Sequence, residues 1–254
     1  MLFDIASYII KKIHISNKMF NHKIIKKKRS RSLSIVSSKN HIDELIFEIY
    51  LSIINEQCTK FNDLCIVSNN ENIISQLSSK NVKALTFKNL FLEENNSFDL
   101  IIILSELNFR DKIEIDLKNI KPILRKKGLL LCSFFSEKNL FNFKNLMNRI
   151  EIGFFNGISQ RFHPIIDIRD IGNLFNQLGY NNTVIQKENF QYQYDSLEQF
   201  IIHMRKMAFT NALLTHSNRH LNKKFYLELK KEFIKTLNGN INFEILISCS
   251  WKDN

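Results

Sequence analysis

The chain alternates short apolar runs with stretches whose apolar residues recur every three to four positions. Residues 41–57 place Ile42, Leu45, Ile46, Ile49 and Ile53 on one helical face. A compact apolar run, Leu64-Cys-Ile-Val67, predicts a buried strand that leaves through Ser68-Asn-Asn-Glu71 into a helix carrying Ile73, Ile74 and Leu77. Val82–Phe87 is a second strand candidate, and Phe98-Asp-Leu-Ile-Ile-Ile-Leu-Ser105 is the clearest strand in the chain. Continuous apolar strands flanked by helical patterns predict a parallel sheet covered on both faces. Ile113, Leu117, Ile120 and Leu124 form the next helical stripe, Gly128–Phe135 the next strand, and Leu140, Phe143, Met147 and Ile150 a further helix.

In the second half, Asp167 is placed to cap a helix running to Leu178, with Gly179 just past its end. Phe190, Tyr192 and Tyr194 alternate as a strand does. Ser196 and Gln199 have capping-box spacing before a helix through Met207, and Phe225, Leu229, Phe233 and Leu237 make a late amphipathic helix. The chain closes on strict alternation at Ile241, Phe243, Ile245, Ile247, Cys249 and Trp251, which predicts a half-buried strand antiparallel to its neighbours. The class is α/β. No linker or repeat interrupts residues 41–254, which read as a single domain with helical lid segments near 140–165 and 196–237.

Composition narrows the picture. With 254 residues, 44% hydrophobic and 24% charged, the chain is long enough for a substantial core and is not compositionally disordered. No apolar run approaches a membrane span. The four scattered cysteines predict reduced thiols and a cytosolic compartment. The net charge of +11 is uneven: residues 1–31 hold nine Lys/Arg against Asp4, or +8, leaving +3 for the remainder. Residues 1–40 are therefore expected to form a basic helical arm able to touch a partner or an acidic surface peripherally. Because the charge is confined to one terminus without interleaved aromatics, a nucleic-acid partner is not expected. His216 and His220 have i,i+4 spacing but no nearby third ligand, so no metal site is expected.

The chemistry lies in order and spacing. Ser97-Phe-Asp-Leu-Ile-Ile-Ile-Leu-Ser105, a helix, then Ile123-Leu-Arg-Lys-Lys-Gly-Leu-Leu-Leu131 resembles the core-strand signature of class I S-adenosylmethionine-dependent methyltransferases. Phe162-His-Pro-Ile-Ile-Asp-Ile-Arg-Asp170, Leu178-Gly-Tyr180, Tyr194-Asp195, Met204-Arg-Lys-Met207, Asn211-Ala-Leu213 and the closing Phe243–Trp251 stretch are similar to one branch of that superfamily. This is the branch of the mitochondrial complex I assembly factor methyltransferase-like proteins and their alphaproteobacterial relatives, near the biotin-pathway malonyl-carrier-protein methyltransferases. Leu2-Phe-Asp4 and the basic segment after it match the branch's usual opening.

The resemblance implies a Rossmann-like sheet and an S-adenosylmethionine site at the end of the first strand, where the family carries an acidic residue and a glycine-rich turn. Here Ile66 stands at the acidic position, with Ser68, Asn69, Asn70 and Asn72 around the turn. Asn tolerates positive φ and can stand in for glycine geometrically, whereas Ile cannot accept a hydrogen bond. Ser105 and Glu106, after the next core strand, complete the implied cofactor set. Only 32 positions separate Ile66 from Phe98, against roughly 40–50 for two ordinary helix–strand units. One helix–strand unit is expected to be missing around Val82–Leu92. On the substrate side the resemblance implies Arg169, Asp170 and Asn211, with the alternative that the first two only cap and decorate a helix.

Two functions follow from the resemblance. One is methyl transfer, or modification of a respiratory-complex subunit (arginine hydroxylation in the complex I relatives), on a protein, carrier-protein or small-molecule acceptor. The other is a degenerate, non-catalytic methyltransferase fold serving as a binding or assembly scaffold, with S-adenosylmethionine binding lost.

Overall fold

The computed structural model describes residues 18–33, 42–57, 59–68, 71–77, 81–215 and 222–253. Helices α1 (His22–Leu33) and α2 (Ile42–Glu56) precede β1 (Asp63–Val67), α3 (Glu71–Ile74), β2 (Asn81–Ala84), α4 (Phe87–Leu90) and β3 (Phe98–Ile103). A 3₁₀ turn at Glu106–Phe109 leads to α5 (Ile113–Ile123), β4 (Leu124–Phe135), α6 (Phe141–Phe155) and α7 (Ile168–Gln177). The chain ends with β5 (Asn181–Gln193), α8 (Leu197–Lys206), α9 (Lys223–Leu237) and β6 (Asn240–Trp251).

The six strands form one sheet in the order β2-β1-β3-β4-β6-β5. β2, β1, β3 and β4 are parallel, and β6 runs antiparallel to both β4 and β5. This is the mixed, mostly parallel α/β sheet expected, with the closing strand inserted antiparallel. Alternation sorts the core onto two faces. Leu64, Ile66, Leu100, Ile102, Leu129 and Leu131 pack under α2, and that layer continues through Ile245 and Ile247 to α6, α8 and α9. Cys65, Val67, Ile101, Ile103, Leu130 and Cys132 face the other way, toward α5 and α7. Both layers are needed because a parallel sheet exposes apolar side chains on each face.

Several boundaries move. The Val82–Phe87 run splits: β2 ends at Ala84, and Thr86 caps α4 by accepting from the Asn89 N–H at 3.3 Å, so Phe87 opens a helical turn. Leu124 begins β4 rather than ending α5. The short spacing between β1 and β3 is absorbed by α3 and α4, one turn each, and no strand lies beyond β2 among the described residues. The stretch around Val82–Leu92 thus retains a strand and a turn of helix in compressed form. Asp167 caps α7 through its Oδ1 on the Arg169 N–H at 2.7 Å, and Ser196 caps α8 through the Gln199 N–H at 3.2 Å. No helix among the described residues is long and apolar enough to cross a membrane. His216 and His220 lie outside the described residues.

Within the basic segment, α1 is docked onto the fold. Phe20 and Ile25 are buried, Phe20 forms an antiparallel bridge with Leu213, and the Asn21 N–H donates to Ala212 O at 2.8 Å. Lys23, Lys26 and Lys27 stay exposed, while Lys28 and Arg29 turn inward.

Candidate functional site

The strand order reverses between β1 and β3, and an open α/β sheet has its ligand crevice there, outside the carboxyl ends of the strands. A cavity of ≈ 190 Å³ occupies that position. Val67 and Ser68 line it from β1, Leu85 to Lys88 from the turn after β2, and Glu106, Phe109 and Arg110 from the segment after β3. Its remaining wall is α1, through His22, Ile25 and Arg29.

Arg29 crosses this crevice. Its guanidinium lies 2.7 Å from Glu106 Oε2 and 5.3 Å from the centre of the Phe109 ring. His22 Nε2 reaches Asp111 Oδ2 at 2.6 Å, and Asp111 Oδ1 accepts the Met19 and Phe20 N–H groups. Burial pushes the Glu106 carboxyl up to about 7 against the opposing pull of Arg29. Arg110 is held by a bidentate pair to Asp116 at 2.6 and 2.8 Å and lies over Phe87. Ser105 is buried in the left-handed region at φ 43°, with its Oγ donating to Asp43 Oδ1 at 2.6 Å and its N–H to Ser133 Oγ.

S-adenosylmethionine would bring a sulfonium, an ammonium and two ribose hydroxyls, all of which call for acceptors. Glu106 is the only carboxylate among the described residues lining the crevice, and Arg29 already engages it. Ile66, at the position where the family carries its acid, is completely buried in the core. The volume is also below the ≈ 300 Å³ at which ligand pockets begin. With α1 seated, the residues present do not fit the cofactor.

A second cavity, ≈ 340 Å³ and mostly apolar, lies beside the first. Phe109 of the crevice and His163 of the second cavity meet edge to face at 4.9 Å, so the two share a wall. α6 contributes Phe143, Lys144 and Met147, α8 contributes Phe200 and Met204, and Leu229 and Phe243 close the floor. Arg161, Asn139 and Asn211 supply polar edges. His163 Nε2 accepts the Ala212 N–H at 3.3 Å, and burial, aided by Lys28 and Lys144, pushes its pKa down to about 4. Lys144 is lowered to about 8 by burial. Arg161 donates twice to Glu151 Oε1, at 2.9 and 3.2 Å.

The residues expected from sequence separate. Ser68 and Glu106 line the crevice; Ser105 sits buried behind it; Asn72 falls in α3, and Asn69 and Asn70 lie outside the described residues. Asn211 lines the apolar cavity, with Oδ1 accepting the Leu213 N–H at 2.9 Å. Arg169 and Asp170 are exposed on the first turn of α7 and line neither cavity. Lys144, Arg161 and His163 were not singled out by spacing, although His163 stands in the family-like Phe162–Asp170 stretch.

No family model matches the chain. It is 27% identical over 165 residues to "Arginine-hydroxylase NDUFAF5, mitochondrial" of Dictyostelium discoideum, covering 62% of this chain and 37% of that protein. It is 24% identical over 162 residues to "Putative methyltransferase RP459" of Rickettsia prowazekii (strain Madrid E), covering 63% and 70%. Among solved structures, the Bacillus halodurans C-125 protein BH2331, also described as a "putative methyltransferase", superposes with a TM-score of 0.52 at 13% identity. That superposition covers 82% of this chain and 99% of BH2331 and shows the shared fold.

The chain is similar in sequence to the NDUFAF5-like proteins and shares its fold with a methyltransferase-like structure.

These similarities concern sequence and architecture. The chain spans little more than a third of the length of the Dictyostelium NDUFAF5 and about half, 51%, of the Danio rerio one.

Proposed function

We propose that this chain uses the methyltransferase fold to bind rather than to transfer a methyl group. It acts as a binding or assembly factor for a protein or acyl-carrier-type ligand. Its kinship with NDUFAF5 makes a subunit of respiratory complex I the partner to test first. The observation that carries this reading is Arg29 of α1, bridged to Glu106 across the switch-point crevice, in a site with no carboxylate to spare. The exposed face of α1, with Lys23, Lys26 and Lys27, offers the peripheral contact.

A second reading is favoured by the shared wall of Phe109 and His163. A cofactor in the crevice would face an acceptor in the apolar cavity, and methyl transfer needs chiefly that the two reactants be held in line and dry. Titration calorimetry of the full chain with S-adenosylmethionine and S-adenosylhomocysteine decides between them. The binding reading expects no heat at millimolar ligand, for the wild type and for Arg29→Ala alike, with both shown to be folded. Micromolar binding to the wild type makes the protein an enzyme candidate. Binding to Arg29→Ala alone makes α1 a latch over a working site. Either result overturns the proposal.

A further inference from the structure

The apolar cavity has a polarity that the crevice does not explain. Its walls are phenylalanine, methionine and leucine, and no Asp or Glu lines it. Lys144 lines it with neither an ion pair nor a side-chain hydrogen bond among the described residues; the Phe162 ring, centred 5.6 Å from Nζ, is the neighbour it faces. Asn139, 5% exposed, also lines the cavity, and its Oδ1 is buried with no hydrogen-bond partner. An orphaned carboxamide can turn over and present its N–H groups at no cost in existing bonds. His163 spends Nε2 on the Ala212 N–H, which leaves Nδ1 as the nitrogen that carries a proton.

These groups share one requirement. A lysine held in an apolar wall without a counter-charge is costly, and an anion placed beside it recovers a charge-assisted hydrogen bond in a low dielectric. Burial lowers Lys144 to about 8, as an unpaired ammonium should be. Arg161 is already neutralised by Glu151, which is fully buried. A cationic ligand such as a guanidinium would meet Lys144 and Arg161 with no free carboxylate to receive it.

We infer that this cavity binds a medium-chain aliphatic or aryl monocarboxylate, its apolar body among Phe143, Phe200, Met204 and Phe243 and its carboxylate at Lys144 and Asn139. The inference stands apart from the reading of the crevice and needs neither S-adenosylmethionine nor a protein partner. A volume of ≈ 340 Å³ accommodates a chain of octanoate size with room for water at the polar end.

Calorimetry of the full chain with octanoate, 1-octanol and octylammonium, all below micelle-forming concentrations and without S-adenosylmethionine, tests this. Octanoate is expected to bind at least about ten-fold more tightly than octanol, and octylammonium not at all. Lys144→Met, which keeps the apolar stem, should lower octanoate affinity by about ten-fold or more and leave octanol unchanged. Met204→Trp should block both by filling the cavity. The inference is overturned if octanol or octylammonium matches octanoate, or if octanoate fails to bind the folded protein at millimolar concentration. It is also overturned if Lys144→Met, confirmed folded by its melting curve, binds octanoate like the wild type. Should that variant not fold, the three-ligand comparison on the wild type still decides. Because the cofactor is absent throughout, failure here leaves the crevice reading standing, and S-adenosylmethionine binding would leave this inference standing.

Discussion

Glu106 and His163 stand on the two sides of the Phe109 partition, and burial moves them in opposite directions, Glu106 up to about 7 and His163 down to about 4. Between about 4.5 and 7 the folded chain keeps a proton on Glu106 that the unfolded chain has released, so this group makes stability fall as pH rises. Between about 4 and 6.5 the unfolded chain protonates His163 and the folded chain does not, so this group makes stability rise. Each shift is worth up to about 3 kcal/mol at full effect, and the windows overlap. Denaturant unfolding at pH 5, 6 and 7 should therefore find the wild type nearly flat. Glu106→Gln should gain stability as pH rises to 6.5, and His163→Gln, which preserves an acceptor for the Ala212 N–H, should lose it toward pH 7. Three parallel profiles would mean that neither group is held as the structure places it. The sequence pointed to Glu106 by its place after a core strand. Its counter-charge, Arg29, stands far upstream in a helix that reads as a solvated charge run, so the pair could not be read from spacing. His163 and Lys144 converge from different segments, and only the packed fold joins them.

Elements were legible where a local rule sufficed. The strand at residues 241–251, the apolar runs of β3 and β4, and the caps at Asp167 and Ser196 all operate within a few residues, and the structure shows each, although β6, expected to be half-buried, is covered on both faces because it lies between β4 and β5. The single-turn helix α4 was not legible, because one helical turn has no period to detect, whereas α3 was read from sequence as a longer helix reaching Leu77. Gly239 is an element-scale constraint of the same local kind. It joins α9 to β6 at φ 70°, following Asn238 at φ 49°, and its carbonyl accepts the Tyr194 N–H at 3.0 Å. A Cβ there would stand 1.9 Å from Tyr194 O, so the backbone itself must move. Gly239→Ala is expected to cost more than about 2 kcal/mol through the left-handed backbone and the clash together. Ser196→Ala, which loses only the α8 cap, should cost about 1 kcal/mol. Equal losses in chemical denaturation would show that the α9–β6 turn relaxes freely and does not fix where β6 enters the sheet.

For the whole molecule, the decisive feature is how the basic segment joins the fold. The +8 carried by residues 1–31 suggests an appendage, yet Phe20, Ile25 and Ser32 are buried. Lys28 Nζ also donates to Thr210 O at 3.1 Å and to Asn211 O, beside the apolar cavity. Helix α1 thus touches both cavities, Arg29 in the crevice and Lys28 behind the Asn211 wall, and its outward lysines carry the basic charge. Burying Phe20 and Ile25 is worth about 3–6 kcal/mol together, which in a chain of this size corresponds to roughly 10 °C in melting temperature. Phe20→Ala alone should therefore melt several degrees below the wild type, and a chain lacking residues 1–33 about 10 °C below or more. If both melt with the wild type, α1 is an appended arm, and the crevice it covers stands open in solution. If both fall as expected, the segment that fills the cofactor position also holds the fold together. Reopening that position for a ligand would then cost the protein stability, because α1 both walls the switch-point crevice and buries Phe20 and Ile25 against the core.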